Sequence, residues 1–184
     1  MTSEIKRCAW CGNEPLYMDY HDNEWGKEIH DDGKLFEFLI LESAQAGLSW
    51  ITILRRREGY RKAFANFDVK KVAAFNDDDY ERLMQDPGII RNRLKILAAI
   101  NNAKLFIEVQ KEFDSFDKYL YSFMPNGKPI NNFSDSLPAS TPISDAISKD
   151  MKKRGFKFFG TTICYAHMQA TGMVNDHLPT CSFK

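Results

Sequence analysis

Hydrophobic residues recur at helical spacing along most of this chain, and the clearest such run begins at Leu35. Phe38 and Leu39 continue its apolar face, and the next position on that face is Glu42. An ionised carboxylate that is buried without a partner costs several kcal/mol. Glu42 is therefore a candidate functional residue. The alternative interpretation is a glutamate bonded to a neighbouring backbone group or arginine.

The helical pattern breaks directly after this helix. Gly47 is a helix breaker, and Leu48 is an apolar residue that the turn is expected to expose. Ser49 can cap a second helix, which begins at Trp50 and is predicted to rise toward the arginines at positions 55–57. This order predicts a pocket with a charged floor beside a basic rim.

A short Asp-Pro-Gly turn at residues 86–88 precedes a long amphipathic run over residues 91–113. The predicted inward residues of that run are Leu94, Leu97, Ala98, Leu105 and Val109. A helix, a glycine turn and a second helix form a helix-hairpin-helix, predicted here around residues 79–100. The second helix would present backbone amides, flanked by Arg91 and Arg93, to a nucleic-acid phosphate. A plain helical hairpin is the alternative.

Capping residues predict most of the remaining helices. They are Asp68, Asn76 or Asp77, Ser115, and Thr141 with Pro142 at the first helical position. Residues 124–141 contain three prolines and predict a long surface loop, and a last helix is predicted to begin at Thr161 or Thr162. No alternating strand pattern remains, so the predicted fold class is all-α.

Composition narrows the class of protein. With 184 residues, 43% of them hydrophobic and 27% charged, the chain is expected to be a soluble protein of one core or two small lobes. No apolar run approaches the roughly 20 residues that span a bilayer, and no signal peptide is evident, so we expect a cytoplasmic protein without membrane attachment. In that compartment the four cysteines are expected to be thiols or metal ligands rather than disulfides.

The net charge is zero, so overall charge gives no support for a polyanionic partner. Positive charge is nevertheless concentrated in residues 55–62, 91–95 and 149–157, each beside a turn or a helix end. Any one such cluster is more often a solvated helix face. Three clusters in such places weaken that interpretation.

Cysteine and histidine residues near the two ends of the sequence have spacings that suit a metal. His177 and Cys181 are four positions apart, and Cys8 and His21 are thirteen apart. Two cysteines and two histidines make a closed tetrahedral Zn²⁺ set of the structural kind, with no position open for water. Such a site would tether the two end segments. The alternative ligands are Cys11 in place of Cys8, and His30, His167 and Cys164.

Six blocks of the sequence resemble the bacterial 3-methyladenine DNA glycosylase I family. They are residues 20–26 (YHDNEWG), 45–52 (QAGLSWIT), 88–91 (GIIR), 152–158 (KKRGFKF), 160–165 (GTTICY) and 174–177 (VNDH). The similarity runs from about Cys8 to Cys181. It implies that residues 1–184 form a single catalytic unit with the helix-hairpin-helix glycosylase fold. Such an enzyme removes 3-methyladenine from double-stranded alkylated DNA by cutting the N-glycosidic bond, and it is monofunctional, without lyase activity.

The resemblance also implies two helical lobes in a monomeric protein. Residues 30–115 would form the lobe with the hairpin, and residues 1–29 and 116–184 would form a terminal lobe joined by a structural zinc. The implied zinc ligands are Cys8, His21, His177 and Cys181. Cys8 is thereby favoured over Cys11.

Functional residues follow from the same resemblance. The implied catalytic residue is Glu42, and the implied base pocket is Trp10, Tyr17, Tyr20 and Trp50. Gly47 and Leu48 lie where the family inserts a wedge into DNA, and Gly88, Arg91 and Arg93 belong to the predicted DNA contact of the hairpin. N3-methylated adenine is cationic in DNA, so an anionic acceptor and aromatic faces would favour it over a neutral base. Free 3-methyladenine is the expected product, and Asp114 and Asp117 are interpreted as helix-end residues without a catalytic role.

Two other functions are compatible with the residues alone. A non-enzymatic helical module for damaged or bent DNA would need the hairpin and the basic clusters but no enclosed aromatic pocket. A zinc hydrolase of small molecules is disfavoured, because protein side chains would fill all four ligand positions.

Overall fold

Side-chain caps set most of the helix boundaries in the computed structural model, which describes residues 5–184. The predicted capping residues whose side chains accept from the first turn of the next helix are Asp68, Asn76, Ser115 and Thr141. Asn76, rather than Asp77, is the cap at its helix, and it forms a capping box with Asp79. These four predictions are confirmed because a cap depends only on residues a few positions away. Ser49 holds the predicted position before Trp50, but its side chain makes no capping bond.

The described residues form ten α-helices, which we label α1 to α10. They are Pro15–Asn23, Asp32–Gln45, Trp50–Leu54, Arg57–Ala63, Val69–Ala73, Asp77–Gln85, Arg93–Phe113, Phe116–Tyr121, Pro142–Arg154 and Thr161–Ala170. Short 3₁₀ turns lie at Ala9–Cys11, Ala65–Phe67 and Pro125–Gly127. Two short strands, β1 and β2, are Ile130–Asn131 and Val174–Asn175. No helix within residues 5–184 combines the length and hydropathy needed to cross a membrane.

The strand pair is a small departure from the predicted all-α class. Strand β1 pairs with β2 in parallel, and the backbone N–H of Ile130 donates to the carbonyl of Met173 at 2.9 Å. Two-residue strands are too short to produce an alternating pattern, so the sequence did not reveal them. The predicted surface loop is therefore anchored near its middle, beside the segment that carries His177.

Helix α2 lies at the centre of the molecule. Its residues 35–44 are all buried, and it contacts α3, α7, α8 and α10. A helix that is buried on every side is expected to be apolar all round. The acidic residues Glu37 and Glu42 on α2 are therefore exceptions that require an explanation.

The long helix α7 packs on a different face from the one that the sequence predicted. Leu94 and Leu97 are 63% and 41% exposed. The buried face is formed by Ile96, Ala98, Ala99, Ile100, Asn102, Ala103, Phe106 and Val109. Ala98 and Val109 are thus buried as predicted, while Leu105 is only partly buried. The prediction for the two leucines was wrong because α7 carries apolar residues on more than one face, and periodicity alone does not decide which face meets the core.

The predicted helical hairpin is present, formed by α6, a turn and α7. Its turn packs closely against α4. A Cβ added to Gly59 would lie only 2.2 Å from the carbonyl oxygen of Gly88. The start of α7 is tied to the end of α2 by Lys95, whose Nζ donates to the carbonyls of Ala44 at 2.8 Å and Ala46 at 2.6 Å. The hairpin is thereby held at a fixed place relative to α2. The division into two lobes at about residues 30 and 115 stays a prediction.

Candidate functional site

A cavity of about 170 Å³ opens beside the C-terminal part of α2, which contributes Glu42 and Gln45. Of the predicted pocket residues, the structure brings Trp10, Tyr17, Tyr20, Glu42 and Trp50 together in its lining. The lining residues that the sequence did not single out are Trp25, Gln45, Leu137, Ala166 and Gln169. A cavity of about 150 Å³ takes a benzene ring, so this partly open cavity is of the size that suits one flat heterocycle.

Aromatic rings form the walls of the cavity. The ring centroids of Tyr20 and Trp50 lie 5.5 Å apart, and Phe38 stacks behind Trp50 at 6.4 Å. Trp10 lies 5.1 Å from Tyr17 and 4.8 Å from Trp25. These rings brace one another, so the cavity offers rigid π faces to a ligand.

Glu42 carries the acidic group of the cavity. It is 2% exposed, and its Oε2 has no hydrogen-bond partner among residues 5–184. Burial disfavours the charged form and raises the pKa of Glu42 from 4.5 to about 8. The alternative interpretation, a partner from the backbone or an arginine, is not found for this oxygen among the described residues.

Glu37, on the same helix, is a buried acid whose carboxylate oxygens have hydrogen-bond partners. It is as deeply buried as Glu42, at 2% exposure, but it accepts from Arg57 at 2.7 Å, Arg61 at 2.9 Å and Lys34 at 3.0 Å. Burial alone would raise the pKa of Glu37, yet the guanidinium of Arg57 and the ammonium of Lys34 hold it below its usual range. The missing partner, and not burial itself, distinguishes Glu42.

Two further polar atoms on the cavity residues lack partners. The buried indole Nε1 atoms of Trp10 and Trp50 have no hydrogen-bond acceptor within residues 5–184. Buried polar atoms are almost always paired in folded proteins. Three such atoms, counting Oε2 of Glu42, belong to residues around one cavity and are available to pair with a ligand.

The loop after α2 places an apolar side chain next to the cavity. Gly47 has a φ of +78°, which a residue with a side chain adopts only with strain. Leu48 follows it and is 39% exposed, between the cavity residues Gln45 and Trp50. The predicted turn is therefore present, and it leaves the leucine side chain in solvent.

The predicted basic rim at residues 55–57 is not a free surface. Arg55 pairs with Glu14 at 2.6 Å, and Arg56 donates to the carbonyl of Pro87 at 2.8 Å. Arg57 lies between Glu24 and Glu37. The sequence did not reveal these pairs because the partners of Arg55 and Arg57 are distant along the chain. The side chains of Arg91 and Arg93, beside the hairpin turn, are exposed as predicted.

A metal-type cluster lies behind the aromatic walls. The ligand atoms of Cys8, His21 and Cys181 all lie within 4.8 Å of one another. The sulfur of Cys8 accepts from the backbone amide of Leu178 at 3.4 Å, and that of Cys181 accepts from Phe183 at 3.5 Å. Two cysteine sulfurs and an imidazole nitrogen this close together are the kind of donor set that Zn²⁺ takes.

His177, the fourth predicted ligand, lies against this cluster. Its ring is 4.9 Å from that of His21, its Nδ1 bonds to Asn175 Oδ1 at 2.7 Å, and its buried Nε2 has no partner in the described part of the chain. An outer hydrogen bond on one imidazole nitrogen that leaves the other free is typical of a metal ligand. The thiol of Cys11 instead donates to the carbonyl of Cys8 at 3.2 Å.

The cluster and the cavity share a wall. The imidazole of His21 packs against Trp10 at 5.2 Å, and that of His177 packs against Trp25 at 4.7 Å. Trp10 and Trp25 both line the cavity. The positions of these two indoles therefore depend on the histidines behind them.

Comparison with known proteins covers almost the whole chain. The family model for methyladenine glycosylase matches residues 10–184. The chain is 50% identical over 179 residues to the DNA-3-methyladenine glycosylase 1 of Escherichia coli (strain K12), covering 96% of both chains. It is 49% identical over 181 residues to the DNA-3-methyladenine glycosylase of Haemophilus influenzae, covering 97% of both chains.

A solved structure shows the same similarity in three dimensions. It is the 3-methyladenine DNA glycosylase I of Staphylococcus aureus, described as the structural basis of 3-methyladenine recognition. The TM-score is 0.93 at 37% identity, over 98% of this chain and 97% of that one. The likeness therefore extends over the fold as well as the sequence.

The raised pKa of Glu42 predicts how stability changes with pH. The folded protein keeps a proton that the unfolded chain loses between about pH 4.5 and 8, so stability falls as pH rises through that window. We expect Glu42→Gln to match the wild type near pH 4 and to exceed its free energy of unfolding by a few kcal/mol above about pH 8. Denaturant unfolding at both pH values measures this. Glu108→Gln, at an exposed position, is the control, and a Glu42→Gln protein that is less stable at high pH would contradict the assignment.

Proposed function

Because the chain belongs to the methyladenine glycosylase family, we infer that it is a DNA repair enzyme that excises 3-methyladenine from alkylated DNA by hydrolysing the N-glycosidic bond. One observation supports this function beyond the family: a buried carboxyl group without a partner lies in a cavity walled by aromatic rings. A base-sized cavity of this kind distinguishes an enzyme acting on a single base from a module that only binds DNA. We further propose that the enzyme is a cytoplasmic monomer.

Selection of the damaged base rests on its positive charge. Methylation at N3 makes the adenine in DNA cationic, and this cation supplies the partner that Glu42 lacks. It would lower the pKa of Glu42 and leave the carboxylate ionised beside the base. The faces of Tyr20 and Trp50 add a cation–π attraction of roughly 0.5 to 2 kcal/mol, which a neutral adenine does not gain.

The same charge makes the base a good leaving group. When the bond between C1′ and N9 breaks, its electron pair moves to N9 and neutralises the ring, so a strong general acid is unnecessary. Glu42 is proposed to stabilise the positive charge that develops on the sugar, or to orient the water that attacks C1′. The cavity lining within residues 5–184 contains no lysine, and without an amine to form a Schiff base the enzyme is expected to be monofunctional.

The base must leave the duplex before it reaches the cavity. Unpairing and unstacking cost a few kcal/mol, and least at a damaged pair. We propose that Leu48 occupies the vacated place in the stack. Arg91 and Arg93 at the hairpin are proposed to hold the phosphates through positive charge and backbone amides. Gly88 is proposed to act only by allowing a close approach of the turn, because its own amide donates to Asp86 Oδ1 at 2.7 Å.

We propose that Cys8, His21, His177 and Cys181 bind a structural Zn²⁺. The donor set fits, because two sulfurs and two imidazole nitrogens are the ligands of closed zinc sites. The buried unpaired Nε2 of His177 supports this set. The ion would contribute folding free energy and hold the segment of Cys8 and His21 against the segment of His177 and Cys181, with no part in the reaction.

Excision tests the function and the role of Glu42. The wild type is expected to release 3-methyladenine from methylated duplex DNA. Glu42→Gln should lower kcat/KM by about 100-fold, because it removes the anionic stabiliser. Release is measured by chromatography of the free bases, with Glu108→Gln as the control. No release by the wild type would contradict the function, and full activity of Glu42→Gln would contradict the role.

Shortening the proposed wedge separates base flipping from base binding. We expect Leu48→Ala to lower excision from duplex DNA by about tenfold, because the emptied stack is no longer filled. Its affinity for free 3-methyladenine, measured by calorimetry, should be unchanged. Leu97→Ala removes an equally exposed leucine elsewhere and should alter neither quantity. Equal losses of excision and free-base affinity in Leu48→Ala would rule out a wedge.

Elemental analysis tests the metal. Purified wild type is expected to hold one zinc per chain, and Cys8→Ala and His177→Ala to lose it. Their unfolding midpoints should fall by roughly 10 °C or more, at about 2–4 °C per kcal/mol for a chain of this size. Cys11→Ala removes a buried thiol three positions from Cys8 and should keep the zinc. Undiminished zinc in both ligand variants would exclude the set.

A further inference from the structure

Gln169 is a cavity residue whose side chain is fixed by its surroundings. It lies near the end of α10, and its Nε2 donates to Asp176 Oδ2 at 2.7 Å. Its backbone carbonyl accepts from the amide of Gly26 at 3.0 Å. Both the backbone and the amide group are therefore held in place, while the residue contributes to the lining of the cavity.

Asp176 determines the orientation of the side-chain amide of Gln169. It is fully buried, and besides Gln169 it accepts from the hydroxyl of Tyr165 at 2.6 Å and from Asn132 Nδ2 at 3.0 Å. Its two oxygens already accept from these two donors, so Asp176 acts as an acceptor toward Gln169 as well and pairs with the NH₂ arm of the amide. The flipped orientation would set two oxygens against each other at that short distance. Oε1 of Gln169 is left without a partner among residues 5–184.

The cavity residues thus offer two acceptors, the carboxyl group of Glu42 and Oε1 of Gln169. Adenine carries an amine at C6, which donates hydrogen bonds, whereas guanine carries a carbonyl there, which accepts them. Positive charge does not separate 3-methyladenine from 7-methylguanine, because both are cations in DNA. The C6 group does separate them.

We propose that Oε1 of Gln169 accepts a hydrogen bond from the C6 amine of the flipped base, and that Asp176 is the positioning residue that presents this oxygen. Gln169 then determines specificity among methylated purines, while Glu42 recognises their charge. A guanine in the cavity would face Oε1 with its own carbonyl oxygen, and an acceptor left unpaired in this way is strongly unfavourable. This inference rests on the function proposed above.

The test replaces Gln169 and a matched glutamine elsewhere. Gln169→Leu removes the acceptor at similar size. Gln110→Leu is the control, since Nε2 of Gln110 makes the same kind of bond, to Asp32 Oδ2 at 2.6 Å, on the helix α7 and outside the cavity lining. We expect Gln169→Leu to bind free 3-methyladenine about tenfold more weakly. It should also lower the ratio of 3-methyladenine to 7-methylguanine released from one methylated DNA sample. Gln110→Leu should keep both values.

Asp176→Asn tests the positioning role. An asparagine can present either its carbonyl oxygen or its NH₂ group to Gln169. The amide of Gln169 is then free to turn its own NH₂ group toward the base. The released ratio should then shift toward 7-methylguanine, whereas loss of a merely structural residue would lower both releases together. An unchanged ratio, or equal losses of the two bases, would overturn the role of Asp176.

Two results would overturn the inference for Gln169 itself. The first is a Gln169→Leu protein with the affinity and release ratio of the wild type. The second comes from a measurement on the wild type, which remains possible if that variant fails to fold. The carbon-13 signal of the Gln169 side-chain carbonyl is expected to shift on addition of 3-methyladenine, and that of Gln110 is not. No shift at Gln169 would refute the contact. Failure of the wild type to release any 3-methyladenine would instead refute the proposed function.

Discussion

The desolvation of one carboxyl group is the constraint on which the rest of the site depends. Glu37 and Glu42 lie on the same buried helix with the same exposure, and only Glu37 has cations beside it. The fold tolerates Glu42 because burial raises the pKa of the carboxyl group, which therefore keeps its proton near neutral pH. A cation entering the cavity supplies the missing charge. The desolvation cost of the ionised carboxylate is then offset for a charged base but not for a neutral one, which favours the charged base.

The aromatic walls need support from behind, because a loosely held ring gives little discrimination. Trp10 packs against the imidazole of His21, and Trp25 packs against that of His177. These two histidines belong to the segments near the two ends of the sequence. The proposed zinc site would thus position the base-binding wall without touching the base. Asp176, next to His177, links the same segment to Gln169, another residue of the cavity lining.

Features that depend on neighbouring residues could be predicted from the sequence, and features that depend on distant ones could not. The caps, the hairpin and the glycine at position 47 are local, and they follow from residue type and spacing. The buried face of α7 depends on what packs against it: Asn102 pairs with both the N–H and the carbonyl of Lys157, 55 positions away. The bonds of Arg57 to Glu24 and Glu37 are also tertiary, and composition counted that arginine as free charge. Glu42 could be found because an acid on an apolar stripe is anomalous without any knowledge of the fold, whereas Gln169 shows no such anomaly in the sequence.

The contacts of Lys95 and Gly88 tie the hairpin to the helices on either side of the Leu48 loop. Lys95 clamps the end of α2, and Gly88 sits against Gly59 with no room for a side chain. These contacts limit how far the proposed phosphate anchor and the proposed wedge can move relative to each other, so a docking duplex is expected to adapt its own shape to meet both. Base steps that kink easily will fit more readily than stiff ones. The rate at which a lesion is found is then expected to depend on how easily the surrounding base steps deform, as well as on the chemistry of the damaged base.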